Sequence, residues 1–260
     1  MSLHTSVPAV LALSLAAGIA GAADAPKADA PKADAPKADA LSDIDEVLEK
    51  FAAAGRDIRR VSSDLTETFV DDLVGAARSR QGRIFLVKDG DVGRIRIDLF
   101  GGRAKKTEET YVFDGNTFWK VNYKSKQILG FRQAPGQAKD VFKIGRGPFP
   151  LPIGQPREDI QKMFETTLLS RKGVDPVVVK LVPKPTTPFA RDFKEFEFSA
   201  RLAEGIPFKV VSRKGGQDKT IELTPLINEK AVIPADAFVL NPDAPEFKGF
   251  SVEIKAPGRD

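Results

Sequence analysis

Residues 110–131 read TYVFDGNTFWKVNYKSKQILGF, and this stretch decides the fold because it has the pattern of two or three antiparallel strands. The Asp-Gly pair at 114–115 accepts the positive φ that a tight hairpin needs. After this turn, Trp119, Val121 and Tyr123 fall on one face of the next strand, which makes that face large and apolar. We expect the function of the protein to depend on an apolar sheet face of this kind.

Strands are also predicted on both sides of this hairpin. The segment 82–88 is apolar on both faces, which is typical of a central strand, and 93–99 alternates between apolar and charged residues. Further β segments are predicted at 65–69, 177–182, 193–199, 208–211, 220–223 and 250–254, and residues 234–240 are expected to end the core with Phe238 and Leu240 on one face. Together they predict a mainly β (α+β) fold of about ten to eleven strands with two helices.

The first predicted helix spans 41–60, with Ser42 as its N-cap and an apolar stripe that should pack against a sheet. The second begins at Pro156 and runs to about 171, with Gly173 after its C-terminal end. Apolar residues recur along it at helical spacing, at Ile160, Met163, Phe164 and Leu168. This periodicity fits a lid between two β regions and a plain core helix equally well.

The N-terminal region has the pattern of an exported protein. Residues 7–22, VPAVLALSLAAGIAGA, form an apolar run that ends in a small-residue cleavage site, so 1–22 is predicted to be a signal peptide cleaved near Ala22. The alternative is an uncleaved apolar anchor. The APKAD repeat within 23–40 predicts a semi-extended linker, or a tail without function. The folded domain is expected at 41–255, with a short tail at 256–260.

The composition excludes several classes of site. His4 is the only histidine, it lies in the predicted signal peptide, and the chain has no cysteine. The mature chain would therefore lack Ser-His-Asp and Cys-His catalysis and ordinary zinc sites. The sequence contains no P-loop and no dinucleotide-binding glycine motif after a strand. We therefore predict no enzyme activity, no metal and no cofactor.

Charge and aromatic content narrow the choice of ligand. The 40 basic and 36 acidic residues are interspersed, which argues against a nucleic-acid surface. The aromatic residues are 18 Phe against two Tyr and one Trp. A pool dominated by Phe suits contact with hydrocarbon, although most of these rings would also be expected to fill a core.

Five segments resemble, in order and spacing, those of the periplasmic lipoprotein carriers of the LolA type. The most specific is 112–119, VFDGNTFW, which is similar to the family's strand, Asp-Gly turn and Leu/Phe-Trp strand. The others are 65–69, 82–88, 181–184 and 237–242. One position departs from the family, which has an Arg-Pro pair after 82–88 whose Arg bonds to the lid. Here Lys88 occupies that place, and lysine lacks the planar fork of arginine.

The resemblance implies an unclosed antiparallel β-barrel whose helices cover the mouth and whose interior takes the acyl chains of lipoproteins. The expected cavity residues are Phe69, Phe85, Ile95, Ile97, Leu99, Trp119, Val121, Tyr123, Phe196, Phe198, Phe208 and Val210, and the expected lid residues are Ile160, Met163, Phe164 and Leu168. The implied function is a periplasmic carrier that moves acylated lipoproteins toward the outer membrane. An inner-membrane lipoprotein-releasing transporter and an outer-membrane acceptor would be its partners.

Two other functions fit the same segments. A regulatory domain of the same fold would sense envelope lipids or mislocalised lipoproteins and act on one membrane partner. A purely structural β module, tethered by the Ala-Pro-Lys linker, would bind no lipid. A carrier would co-purify with many acylated proteins, a sensor with one regulator, and a structural module with no lipid.

Overall fold

The computed structural model describes residues 37–71, 75–89, 92–102, 105–134, 152–171, 173–187 and 189–256. The predicted signal peptide and most of the predicted linker lie outside these ranges. Within them, the helices are α1 (Lys37–Arg56), α2 (Arg157–Met163) and α3 (Phe189–Asp192). No helix of the described ranges is long and apolar enough to cross a membrane.

Twelve strands account for most of the rest of the described chain. The first half contains β1 (Arg60–Asp71), β2 (Ala77–Asp89), β3 (Val92–Gly101), β4 (Lys106–Phe113), β5 (Thr117–Asn122) and β6 (Gln127–Arg132). The second half contains β7 (Phe164–Leu168), β8 (Val177–Pro183), β9 (Glu195–Ala200), β10 (Pro207–Lys214), β11 (Gln217–Ile227) and β12 (Ser251–Lys255). Short 3₁₀ turns lie at Asn228–Lys230 and Pro245–Phe247.

All twelve strands belong to one sheet, in the order β12-β6-β5-β4-β3-β2-β1-β11-β10-β9-β8-β7. Two antiparallel meanders, β1–β6 and β7–β11, are joined where β1 pairs with β11. Only β12 runs parallel to its neighbour, β6. Because β7 and β12 remain edges, the sheet is not closed, which confirms the predicted mainly β, unclosed architecture. The strand number is slightly higher than predicted.

The predicted Asp-Gly hairpin joins β4 to β5. Gly115 has a φ of 105°, a conformation that residues with a side chain rarely adopt. The Asp114 carboxylate accepts hydrogen bonds from the backbone N–H groups of Asn116 and Thr117, both at 2.8 Å. Its other oxygen accepts a hydrogen bond from the indole Nε1 of Trp119 at 3.1 Å. One aspartate therefore fixes both the turn and the orientation of the only tryptophan.

The first helix begins and ends about four residues earlier than predicted. It already includes Lys37, so the assignment of Ser42 as N-cap is wrong. The end of the last repeat reads KADA, and Ala and Lys are strong helix formers that extend the helix toward the N-terminus. At its other end, a Cβ on Gly55 would lie 2.3 Å from the backbone N of Gly154, so only glycine fits there. The chain then turns into β1.

The second helix is much shorter than predicted. It ends at Met163, and the residues expected to continue it form strand β7 instead. This strand covers the edge of β8, pairing Phe164 with Pro183 and Leu168 with Val179. The prediction failed because positions 164 and 168 share a face in a helix and also in a strand. The β-branched Thr166 and Thr167 between them favour the strand.

Both faces of the sheet are covered over part of their area. The inner face packs against α1 and α2 and carries the largest cluster of buried apolar residues. The outer face is covered by the segment 231–250, where Phe238 packs on Phe85 and Phe247 packs in the cluster of Trp119. Residues 234–240, which were expected to end the core, form a series of turns in this covering segment.

Candidate functional site

The inner face and the helices enclose the main apolar compartment of the domain. Helix α1 directs Ile44, Leu48 and Phe51 into it, and all three are almost fully buried. The Phe51 ring lies 5.5 Å from the Phe198 ring of β9. Helix α2 adds Ile160, which has no exposed surface. The protein's own side chains fill the centre of the compartment in this conformation, so a ligand could occupy that space only if a helix moved.

Polar contacts join the two helices at the surface of the domain. The Arg157 guanidinium of α2 lies 3.4 Å from the Asp45 carboxylate and 3.1 Å from the Glu49 carboxylate of α1. The Gln161 amide donates a hydrogen bond to Asp45 at 2.7 Å. Neighbouring carboxylates, first Glu158, raise the pKa of Arg157, which stays charged. Because solvent reaches these pairs, they hold the helices together only weakly.

A band of charge borders the compartment on the inner face. Glu67 of β1 forms ion pairs with Arg80 of β2 and Lys219 of β11, and its side chain is only 1% exposed. The Arg80 guanidinium also lies 2.9 Å from the Glu109 carboxylate of β4. We call Glu67, Arg80, Glu109 and Lys219 the charged belt. On the inner side of their strands, Glu67 comes directly after Leu65, whereas Arg80 and Lys219 come directly before Gly82 and Ile221, so the apolar surface of these three strands ends at the charged belt.

Two aromatic residues, Phe69 and Tyr111, lie against the charged belt. The Phe69 ring lies between the Arg80 guanidinium, 5.5 Å from its centroid, and the Lys219 ammonium, 5.3 Å from it. The Tyr111 hydroxyl donates a hydrogen bond to Glu109 at 3.2 Å. Burial, followed by the charge of Glu109, raises the pKa of Tyr111 well above its ordinary value. Tyr111 is therefore a neutral donor at physiological pH.

A cavity of about 690 Å³ opens against the charged belt. Phe69 and the belt residues Arg80 and Glu109 line it. The other described residues that line it are Asp71, Ala76, Arg78, Ser79, Gly101, Gly102, Glu108, Lys124 and Gln217. Most of these described residues are charged or polar, although the cavity lies next to the apolar compartment.

A second cavity, of about 920 Å³, lies beside an aromatic cluster. Phe193 lines this cavity, and its ring lies 4.7 Å from the Phe196 ring. Phe164 and Phe189 extend the cluster, with ring centroids 5.4 Å apart. Gly215 lines this cavity and Gln217 lines the polar one, so both cavities lie near the β10–β11 turn.

The structure places the twelve predicted cavity residues in four environments. The apolar compartment contains six of them: Ile95, Ile97, Leu99, Phe196, Phe198 and Val210. Phe69 belongs to the border with the charged belt. Phe208 is half-buried under the Arg201 guanidinium, which lies 5.2 Å from its ring centroid. Whether any of these residues contacts a ligand stays a prediction.

The other four predicted cavity residues lie on the outer face. Phe85 packs with Ala237 and Phe238, whereas Trp119 and Val121, with Tyr123 at the margin, pack around Phe247. The structure therefore does not bring them together with the inner compartment. The sequence shows that alternate residues share a face, but not which face the helices cover. In β5 the inward residue is Phe118.

The four predicted lid residues are divided between two elements. Ile160 and Met163 belong to α2, whereas Phe164 and Leu168 belong to β7. Lys88, which stands where the family has its lid-holding arginine, lies in β2, and its backbone N–H donates to the Arg59 carbonyl at 2.7 Å. The contacts described between α1 and α2 come from Arg157 and Gln161 instead.

Sequence reasoning missed the charged belt. Its signal was present, because Glu67 follows Leu65 at strand spacing and Arg80 precedes Ile84 on the same side of β2. A charged residue at an inward position of a strand indicates a buried pair or a site. Among the described residues, no group of His, Cys, Asp and Glu side chains is arranged to hold a metal ion.

Comparisons with known proteins found similarity only at the level of structure. No protein-family model and no curated protein sequence matches the chain. An uncharacterised conserved protein from Thermus thermophilus aligns at a TM-score of 0.46 and 10% identity, covering 81% of this chain and 98% of that one.

Two further solved structures are of named proteins. A LolA superfamily protein from Nitrosomonas europaea aligns at a TM-score of 0.36 and 10% identity, covering 76% of this chain and 97% of that one. The Mycobacterium tuberculosis lipoprotein LppX aligns at a TM-score of 0.44 and 8% identity, covering 74% of this chain and 98% of that one. TM-scores below 0.5 do not establish a family, so a functional conclusion has to come from the chain's own geometry.

Proposed function

We propose that this domain is a carrier that binds the acyl chains of lipoproteins between its inner sheet face and helices α1 and α2. The supporting observation is how the apolar compartment is closed. The sheet is open at β7 and β12, and the surface contacts between the helices are polar and exposed to solvent. The conformation described above would be the empty state, in which α1 occupies the place of the cargo.

The free energies of apolar burial favour an exchange between α1 and an acyl chain. Burying one methylene is worth about 0.8 kcal/mol, so a chain of about sixteen carbons gains about 12 kcal/mol on leaving water. The α1 side chains Ile44, Leu48 and Phe51 contribute about 1.5–3 kcal/mol each, or about 5–9 kcal/mol together. Because the first sum exceeds the second, an acyl chain can displace the helix, and the helix can return when the chain leaves.

In this proposal the domain works in the periplasm after removal of the signal peptide. Its partners would be a transporter that releases lipoproteins from the inner membrane and an acceptor at the outer membrane. The mature protein, residues 23–260, should be tagged, recovered from envelope extract and analysed for bound protein and lipid by mass spectrometry. Many acylated proteins would support a carrier, one membrane regulator would indicate a sensor, and the absence of lipid would overturn both.

Helix separation can be tested directly, because the chain has no cysteine of its own. The side chains of Asp45 and Gln161 meet at their tips, so cysteines at both positions would lie too far apart for a direct disulfide but within reach of a short bis-methanethiosulfonate cross-linker. We expect the cross-linked double variant Asp45→Cys/Gln161→Cys to lose binding of a fluorescent long-chain fatty acid and to regain it on reduction. Each single variant, treated with the same reagent, serves as a control. Unchanged binding by the cross-linked variant would show that the helices do not separate.

A further inference from the structure

Strand β12 is an end strand of the sheet, and one of its sides has no strand beside it in the described chain. All five of its residues are exposed, and its two apolar residues, Val252 and Ile254, each expose 44% of their surface. The strand at the other end of the sheet is more protected, because β7 begins directly after α2 and lies against α1. An exposed edge strand is a template for pairing with another chain, so β12 is the edge at which such pairing is expected.

The backbone groups that β12 offers to another strand follow from its pairing with β6. In a parallel pair, every second residue directs both its N–H and its C=O toward the neighbouring strand, and the residues between them direct theirs away. The Ser251 N–H donates a hydrogen bond to the Lys126 carbonyl at 2.9 Å. Ser251 and every second residue after it therefore bond to β6. Val252 and Ile254 direct their backbone groups to the free side.

The two faces of β12 differ in chemistry. Lys255 lies on the inner side of the sheet, because its ammonium is 5.8 Å from the ring centroid of Phe131, whose ring packs beside an inward residue of β5. Glu253 shares this side, since alternate residues of a strand face the same way. Val252 and Ile254 lie on the outer side, at the margin of the outer apolar cluster. One face of β12 thus carries one charge of each sign, and the other face is apolar.

A second copy of the domain can pair its own β12 with this edge in only a few registers. When two copies form an antiparallel pair about a two-fold axis, their outward-directed residues have to face each other. To overlap over most of β12, the pair has to be centred on Val252, Glu253 or Ile254. Centring on Glu253 brings two carboxylates directly opposite each other, and centring on Val252 leaves both charges without a partner of opposite sign. Centring on Ile254 places Glu253 of each copy opposite Lys255 of the other. It also places Val252 opposite the exposed Ala256.

The register centred on Ile254 also puts the charges where side chains come closest. In an antiparallel pair, opposite residues that do not exchange hydrogen bonds have Cα atoms about 4.5 Å apart, against about 5.5 Å for those that do. Glu253 and Lys255 direct their backbone groups to β6, so they would occupy the closer positions across the new pair. Opposite charges at such positions stabilise a strand pair, and like charges destabilise it. The sequence SVEIK is therefore complementary to a second copy of itself.

We propose that the domain forms a symmetric dimer in which the β12 strands of two copies pair antiparallel about Ile254. The two sheets would then form one continuous sheet, with Glu253 and Lys255 paired on its inner side and the apolar residues together on its outer side. This interaction goes beyond the carrier proposal, because it uses the edge of the sheet and not the apolar compartment. The contact is short, so the dimer is expected to be weak and to depend on protein concentration.

The test exchanges the two charges of β12 in the mature protein. The single variants Glu253→Lys and Lys255→Glu each place like charges opposite each other, so each should weaken self-association by about tenfold or more. The double variant Glu253→Lys/Lys255→Glu restores opposite charges and should dimerise like the wild type. An equimolar mixture of the two single variants should also dimerise, because each is complementary to the other and not to itself. Sedimentation equilibrium from micromolar to millimolar concentration measures all four.

The matched control is Glu229→Lys, which reverses an exposed charge in the 3₁₀ turn after β11 and should dimerise like the wild type. Because Glu253 and Lys255 are exposed, their variants should keep the wild-type urea midpoint. A wild type that stays monomeric at millimolar concentration would overturn the proposal. A dimer that the single variants leave unchanged, or that neither the double variant nor the mixture restores, would place the contact elsewhere and also overturn it. Equal weakening by Glu229→Lys would do the same, since net charge and not the β12 register would then control association.

Discussion

At the scale of single residues, Trp119 depends on a glycine in the neighbouring strand. Trp119 of β5 lies opposite Gly130 of β6, and a Cβ on Gly130 would lie 2.7 Å from the Trp119 ring. Gly130→Ala should therefore overpack the outer face and destabilise the domain by about 1–3 kcal/mol. A lower urea midpoint, together with a shift in the emission of the single tryptophan, would show this.

Gly215→Ala is the matched control, since nothing lies within 4 Å of its Cβ position. A Gly130→Ala variant as stable as this control would mean that the tryptophan ring moves aside without cost.

The neighbourhood of Trp119 also shows how far the fold could be predicted from the sequence. The alternation in β5 was predicted, but Trp119 was expected to face the cavity and lies on the outer face, because Phe118 and Trp119 are both large and aromatic. The covering segment that decides between them lies more than a hundred positions along the chain.

At the scale of elements, most strands were predictable, whereas the helix boundaries and strand β7 were not. Alternating segments such as 93–99 specify a strand locally, and the Asp114-Gly115 turn specifies its hairpin. The end of α2 is instead decided by β8, whose edge is satisfied when residues 164–168 pair with it. That partner lies beyond the window in which periodicity is seen. The charged belt was also overlooked, because each of its ion pairs joins side chains from two different strands.

The ion pairs between α1 and α2 are expected to keep the two helices together when the compartment is empty. Arg157→Gln should remove the ion pairs to Asp45 and Glu49 and increase the population in which the helices part. We expect the affinity for an environment-sensitive apolar dye to rise by about two- to fivefold, since surface pairs are weak. Lys50→Gln, which removes a pair within α1 alone, should leave dye binding unchanged. A fall in affinity for Arg157→Gln would mean that Arg157 holds the ligand-binding form.

At the scale of the whole domain, the sheet has to hide apolar surface on both sides, and it does so by different means. On the inner face the cover is a helix that an acyl chain could replace. On the outer face the cover is the segment 231–250, whose Phe247 packs in the cluster of Val112, Trp119, Val121 and Ile128. An uncovered apolar patch of this kind promotes self-association. The outer cover is therefore expected to be permanent.

Two truncations test this division. A chain that ends after Lys230 loses the outer cover, whereas a chain that ends after Phe250 keeps it and loses only β12. We expect the shorter chain to self-associate in sedimentation and its tryptophan emission to move to longer wavelength, because Trp119 becomes exposed to solvent. The longer chain should remain monodisperse with native emission. If the shorter chain instead kept native emission and still bound acyl ligands, the segment 231–250 would be dispensable and the outer face would not need a cover.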